Sequence, residues 1–539
     1  MNKRLYFSCV FLFVLSVIFA GCNGISPKDG KGQRDEATIG KAGGTLIYGR
    51  GSDAVKLDPS TVTDGESLIV THQVLETLVA YEKESTEIVP HLAKDWEISD
   101  DGLTYTFQLE EGITFHDGTD FNAKAVVKNF ERWLNGKDEA EFPYFVSQFG
   151  GFHGDEDAVI KEVKAIDEYE VQFVLSRPQA PFLKNLAMPP FAISSPTAFE
   201  EKGEKYIEHP IGTGPFQFEE WKRNDTITVV KNEKYWKEEL PKVDKVIFKV
   251  IEDNSARLNS LIKGEIDLMD GLNPSDVDRV NADNNLQIFE RPSMNVGYLG
   301  FNVEKEPFNN KKVRQALSHA INKEAIIENF YEGTAEPAKN PIPPTINGYN
   351  DQIKDYQYDL DKAKQLLDEA GYSDGFKIDL WAMPVPRPYM PNGEKIAEAI
   401  QADFKKIGVE VNIVTMEWAT YLEKVRTGEA PMFMLGWTGD NGDADNFLYV
   451  LLDQDNINSN NYSRYANDEL HELLLKAQKE TDAEKRDEYY YQAQEMIHED
   501  APWIPLAHSV PQLAGKSSVQ GFTPHPTGSQ SFADVSVIE

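Results

Sequence analysis

FKIDLWAM (Phe376–Met383), GEKIAEAIQADFKKIG (Gly393–Gly408) and VEVNIVTM (Val409–Met416) follow one another with only a short proline-rich stretch between the first two. The outer two are short bounded runs rich in Phe, Ile, Val and Trp, which is how a strand reads. The middle one sets Ile396, Ile400, Phe404 and Ile407 on one face at helical spacing. Together they predict a strand, a helix and a strand. Units of this kind bind ligands beyond the carboxyl ends of their strands, so the residues after FKIDLWAM and, later, after MFMLGW (Met432–Trp437) are where a site is expected.

The same alternation extends outward. DLDKAKQLLDEAGY predicts a helix with Ala363, Leu366, Leu367 and Ala370 inward and Gly371 at its end. NAKAVVKNFERWLNG predicts another, with Asn122 as N-cap and Ala123, Val126, Val127 and Phe130 on one face. TLIYG (Thr45–Gly49), LTYTFQLEEGITF and YEVQFVLS alternate as strands. The fold class is α/β.

At 539 residues the chain is large enough for more than one hydrophobic core, and 40% apolar with 27% charged residues describes a globular chain. Its net charge of −35 repels phosphate backbones and anionic lipid surfaces, so nucleic acid is not an expected partner. The N-terminus has Lys3 and Arg4, the apolar run LYFSCVFLFVLSVIF, and then Ala20-Gly21-Cys22. That run is short for a membrane span of roughly 20 residues, and small residues before a cysteine predict cleavage and lipidation of Cys22. Residues 1–21 would be a lipoprotein signal peptide. Removing them takes away Cys9, the only other cysteine, and with it any disulfide. The polar, glycine-rich residues 22–44 read as a flexible tether.

Enzyme signatures are missing from the sequence: there is no G-x-S-x-G, H-E-x-x-H, C-x-x-C or complete phosphate loop. DNGDAD (Asp440–Asp445) has a calcium-loop look, but its glycine is misplaced and its twelfth position is Leu451 rather than Glu. His116, His209 and His319 show no ligand spacing. No metal site, no cofactor and no enzymatic activity are expected.

LAKDWEISDDGLTYTFQLEEGITFHDG, HPIGTGPF, MNVGYLGFN, VRQALSHAINKEAII and PIPPTINGYN, running in order from Leu92 to Asn350, resemble the extracellular solute-binding proteins of the peptide and nickel class, family 5. WAMPVPRPYMPN and GWTGDNGDADNF are similar to the dipeptide-binding branch of that family. The resemblance covers about residues 45–539. It implies a two-lobed periplasmic-binding-protein fold (large type II-like, cluster C) with the ligand cleft between lobes and two crossing hinge segments. Lobe I would span 45–291 with an extra subdomain, lobe II 292–508, and 509–539 would return to lobe I. It also implies a monomeric receptor that hands a short peptide, a dipeptide above all, to the permease and ATPase of an ABC transporter from the outer or periplasmic side of the cell membrane, anchored by the lipid on Cys22. The alternatives within the class are haem, glutathione, a longer oligopeptide or chelated nickel.

Carried over motif by motif, the resemblance implies that Asp440 in GWTGD binds the peptide α-ammonium and Arg387 in PVPRPY its carboxylate. Elementary chemistry agrees, since a zwitterion enclosed in a cleft needs one fixed anion and one fixed cation, and the planar guanidinium meets a carboxylate with two parallel hydrogen bonds. Read alone, Asp440 is as good a turn residue and Arg387 a solvated surface arginine between prolines. Trp437, Gly439 and Tyr389 are expected near the ligand. From lobe I, Gly51 and Ser52 in YGRGSD are expected to offer main-chain groups to it, with Arg50 open between a ligand role and the surface.

Overall fold

The computed structural model describes residues 43–538 except 139 and 458, so the leader, most of the tether and Cys22 lie outside it. Among the described residues no helix is long and apolar enough to cross a membrane.

The predicted unit forms as read. Phe376–Trp381 and Val409–Val414 are strands paired in parallel, Phe376 opposite Val409, and Gly393–Lys405 is the helix between them. Asn392 caps that helix by accepting the Lys395 N–H at 3.1 Å, and Ile396, Ala397, Ile400 and Phe404 are buried beneath it. Burial of each larger side chain contributes about 1.5–3 kcal/mol relative to exposure, enough to hold the helix on its sheet. The helix Leu360–Glu369 closes at a left-handed Gly371 (φ +88°), whose N–H donates to Asp368 while the Tyr372 N–H reaches Leu367, so the last carbonyls are satisfied.

These strands belong to a six-stranded sheet ordered 335–337, 503–509, 295–301, 432–438, 376–381, 409–414. A seven-stranded sheet is ordered 286–290, 512–516, 268–269, 45–50, 245–250, 226–231, 216–222. Each carries its own buried apolar cluster, Leu46, Tyr48, Val229 and Phe248 in the seven-stranded sheet of the first lobe, Leu299, Ile400, Phe404 and Met432 in the six-stranded sheet of the second. They are the centres of two lobes. A four-stranded antiparallel sheet, ordered 93–98, 104–109, 170–175, 160–167, packs its alternate side chains Tyr105, Phe107 and Phe173 against Phe130 and Trp133 of helix Ala123–Leu134, and forms an annex to the first lobe.

The chain passes between the large sheets twice. The strand Leu286–Glu290 ends in one and Asn295–Phe301 starts in the other; Trp503–Ser509 ends in the second and Gln512–Lys516 returns to the first. The passages meet at one buried side chain. Asn295 donates from Nδ2 to the Ser509 carbonyl (3.0 Å) and accepts at Oδ1 from the Ser509 N–H and Oγ (each 3.0 Å), and its own carbonyl lies 2.8 Å from His508 Nδ1.

Candidate ligand cleft

The strand Met432–Thr438 delivers Gly439 and Asp440 beyond its carboxyl end. Gly439 donates its N–H to the Met294 carbonyl at 2.8 Å, beside the first passage between sheets. Any side chain there would strike the Phe447 ring, since an added Cβ would lie 2.6 Å from it, so the close approach of backbone to core requires glycine. Asn446 fixes the rest of the turn: its Oδ1 accepts from the Asp440 N–H and from Trp437 Nε1 (both 3.0 Å), and its Nδ2 donates to Asp440 Oδ2 at 3.1 Å. The other carboxylate oxygen of Asp440 accepts from the Tyr144 hydroxyl, across from the first lobe, at 3.1 Å.

Among the described residues no cation lies on Asp440. Burial pushes its carboxyl above the usual carboxylate range, while the hydrogen bonds from Asn446 and Tyr144 act the other way. It lines a cavity of about 420 Å³ whose walls come from both lobes: Thr438, Gly439 and Asp440 on one side, Tyr48, Glu66, Asp270 and Arg291 on the other. An anion held in place by neutral donors and facing such a space is arranged to receive a cation.

Arg387 sits differently. It lies in a tight turn closed by main-chain bonds between Arg387 and Met390 (3.1 and 2.9 Å), and its guanidinium is exposed, donating to the Pro386 carbonyl at 3.3 Å. It does not line the cavity that holds Asp440. Tyr389 is buried, its carbonyl accepting from the Tyr331 hydroxyl at 2.8 Å and its ring lying against Gly436, so it acts as packing under the strand that ends at Asp440.

The rest of the DNGDAD turn ties the lobes together. The Gly442 carbonyl accepts from Lys184 Nζ (2.7 Å) and Thr86 Oγ1 (3.3 Å), and Asn441 Nδ2 donates to Asn185 Oδ1 at 2.7 Å, all three partners being in the first lobe. Asp443 gives both oxygens to Arg486 at 2.7 Å, and Asp445 is pushed up to about 7 by burial and then by the charge of Asp443. Asp443 is engaged at both oxygens and Asp445 accepts at Oδ2 from Gln478 Nε2, which is unlike the open oxygen cage of a calcium loop.

The family described as "Bacterial extracellular solute-binding proteins, family 5 Middle" matches residues 87–459. This chain belongs to that family. Among similar proteins, the dipeptide-binding protein of Escherichia coli (strain K12) is 41% identical over 92% of this chain and 94% of its own. Heme-binding protein A of Haemophilus influenzae is 39% identical over 98% of both chains. The structure of a periplasmic binding protein from Helicobacter pylori in complex with the peptide STSA is matched with a TM-score of 0.77 and 37% identity, covering 93% of this chain and 99% of that one. The two-lobed family 5 fold is therefore established, and so is the type of molecule: an extracytoplasmic solute-binding receptor, not an enzyme.

Because its walls come from both lobes, the shared cavity is the candidate place for solute. A second cavity of about 420 Å³ lies wholly in the first lobe, among His72, Tyr81, His91, Tyr235 and His525. It borrows nothing from the second lobe, so movement of the lobes would not enclose a ligand there. Of the receptor's predicted site residues, Asp440 and Gly439 line the shared cavity, Trp437 braces it through Asn446, and Gly51, Ser52 and Arg387 do not line it. Arg50 is 1% exposed and holds Asp53 at 2.9 Å, so it is a structural residue of the YGRGSD loop. Tyr144, Glu66, Asp270 and Arg291 were not foreseen. They come from four separate segments that only the tertiary fold brings together, and nothing in their local pattern marks them.

Proposed function

We propose that this receptor is the lipid-anchored substrate-binding protein of an ABC importer and that it captures short peptides, dipeptides above all. The observation that carries the reading is Asp440: a carboxylate held by Asn446 and Tyr144, without a counter-ion, on a cavity shared by both lobes. The peptide's α-ammonium supplies that counter-ion. Arg387 takes the carboxylate when the peptide brings the exposed PVPRPY turn into play, and Gly51 and Ser52 approach the ligand main chain from the first lobe, which comprises 45–291 and 509–539 around a second lobe of 292–508. The proteins named for dipeptides, and the one solved with STSA, support the peptide assignment.

Calorimetry with Ala-Ala, its N-acetylated form and its C-terminal amide tests it. Binding of the free peptide with loss on acetylation is the expected result; tight binding of both blocked forms would sink the assigned anchors. Haem is the second reading, favoured by the similarity to heme-binding protein A, and an absorbance scan after haem titration separates it. Anchoring is tested by palmitate labelling, which should mark the wild type and miss Cys22→Ser. The permease and ATPase partners follow from the receptor reading, and the receptor acts as a monomer.

A further inference from the structure

The shared cavity carries more negative charge than one ammonium requires. Three carboxylates line it, Asp440 from one lobe and Glu66 and Asp270 from the other, against one guanidinium, Arg291. Asp270 is answered by Arg291 Nη2 at 2.9 Å. Glu66 is not answered in the same way. Its nearest cation, Arg50, comes only to 3.8 Å and directs its hydrogen bonds to Asp53 at 2.9 Å and to the main-chain carbonyl of Glu66 at 2.8 Å. Arg257 lies behind the wall with its Nε on the Asp270 carbonyl at 2.9 Å and Nη1 on the Ile251 carbonyl. Burial raises the Glu66 carboxyl above its ordinary value despite the attraction of Arg50. Asp440, with no cation on it among the described residues, and Glu66, whose ion pair with Arg50 is long, thus face one space from opposite lobes.

We propose that Glu66 is the specificity-determining residue of this site, and that the preferred ligands are short peptides whose first residue has a cationic side chain, lysine or arginine. The α-ammonium meets Asp440 and the side-chain cation meets Glu66. This rests on the peptide reading above. The first residue is assigned because its side chain leaves the same carbon as the ammonium held at Asp440, so it starts inside the cavity, and about 420 Å³ accommodates it. A neutral side chain would leave Glu66 with only the long ion pair to Arg50, and an acidic one would meet the carboxylates with like charge; both lower affinity. A charge-assisted hydrogen bond contributes about 1.5–3 kcal/mol, which corresponds to roughly 10–100-fold in the dissociation constant.

The test uses calorimetry on the full receptor with Lys-Ala, norleucyl-Ala, which keeps the length and removes the charge, Ala-Lys and cadaverine. Lys-Ala is expected to bind at least about tenfold more tightly than norleucyl-Ala and than Ala-Lys. In Glu66→Gln the advantage should shrink to within about twofold, with norleucyl-Ala binding at least as tightly as to the wild type because the poorly paired carboxylate is gone; Glu66 is 31% exposed and Gln keeps its shape, and the wild-type comparison stands without the variant. Equal binding of Lys-Ala and norleucyl-Ala would overturn this proposal and leave the peptide reading intact. An equal gain for Ala-Lys would overturn the assignment to the first residue. Binding of none of the dipeptides would overturn both readings, and cadaverine binding as tightly as Lys-Ala would show a diamine site instead of a peptide one.

Discussion

Two turns leave neighbouring strands of the six-stranded sheet, and they could hardly be held more differently. The turn after Met432–Thr438 is fastened on every side: Asn446 holds Asp440, Arg486 holds Asp443, and Lys184 and Thr86 reach Gly442 from the other lobe. The turn after Phe376–Trp381 has a buried Tyr389 for a foot and an exposed Arg387 at its tip. The first is preorganised, so its anion has already met the cost of being ordered and desolvated. The second leaves its arginine exposed, so in the proposed carboxylate role the side-chain ordering of roughly 0.5–1.5 kcal/mol would fall on binding.

The sharpest way to break this contrast is Asp440→Ala. Removing the counter-ion of an enclosed ammonium is expected to cost about 2–5 kcal/mol, at least thirtyfold in affinity by calorimetry. Because burial disfavours the ionised carboxylate, the apo variant should melt no lower than wild type; a lower melting temperature would make Asp440 a structural residue. Next in size is Asp445, whose carboxyl is pushed up to about 7 by burial and Asp443. An acid raised in the folded state binds its proton more tightly there than in the unfolded chain, so stability falls as pH rises from about 4 through about 7. Asp445→Asn should therefore be the more stable protein at pH 8, by up to ~4 kcal/mol from the size of that shift, and should lose the advantage near pH 4 in urea titrations. An advantage that persists at pH 4 would place its cause elsewhere than in ionisation.

Arg387→Ala comes third, with a loss of about tenfold for free dipeptides and almost none for C-terminal amides. A loss as large as that of Asp440→Ala would show that the two turns are equally committed and would end the contrast. The smallest effect is expected of Lys184→Met, which removes one donor to Gly442 while keeping a similar length. At about 0.5–1.5 kcal/mol for a single hydrogen bond, ligand affinity should fall about two- to tenfold, with melting of the apo protein little changed. No change in affinity would show that the tie between lobes contributes nothing to holding a ligand.

The contrast also marks how far the sequence could be read. Spacing alone identified the helix Gly393–Lys405, its two strands and the Asn122 and Gly371 boundaries, because these depend on residues a few positions apart. It did not show that Gln512–Lys516 inserts between Leu286–Glu290 and Leu268–Met269, since strand order is decided by contacts some 230 residues away. Motif resemblance led to Asp440 because the turn is built from its own neighbours, Trp437, Gly439 and Asn446. It gave no sight of Tyr144, which reaches Asp440 from 296 positions earlier, or of Glu66. Read from sequence, Arg50 is open between a ligand role and the surface, yet Asp53 three positions on compensates its charge and lets it be buried.

Asn295 has a mechanical consequence. The strands Asn295–Phe301 and Trp503–Ser509, which the covalent links 291–294 and 510–511 join to the other lobe, are fastened to each other at that end by the Asn295 carboxamide on Ser509 and its carbonyl on His508. To slide one strand end past the other would break up to four hydrogen bonds among buried partners, about 4 kcal/mol at the usual ~1 kcal/mol each, whereas twisting within the links leaves those bonds in place. With the two strand ends fixed to each other, a relative movement of the lobes is expected as a rotation taken up in residues 291–294 and 510–511 and not as a slide.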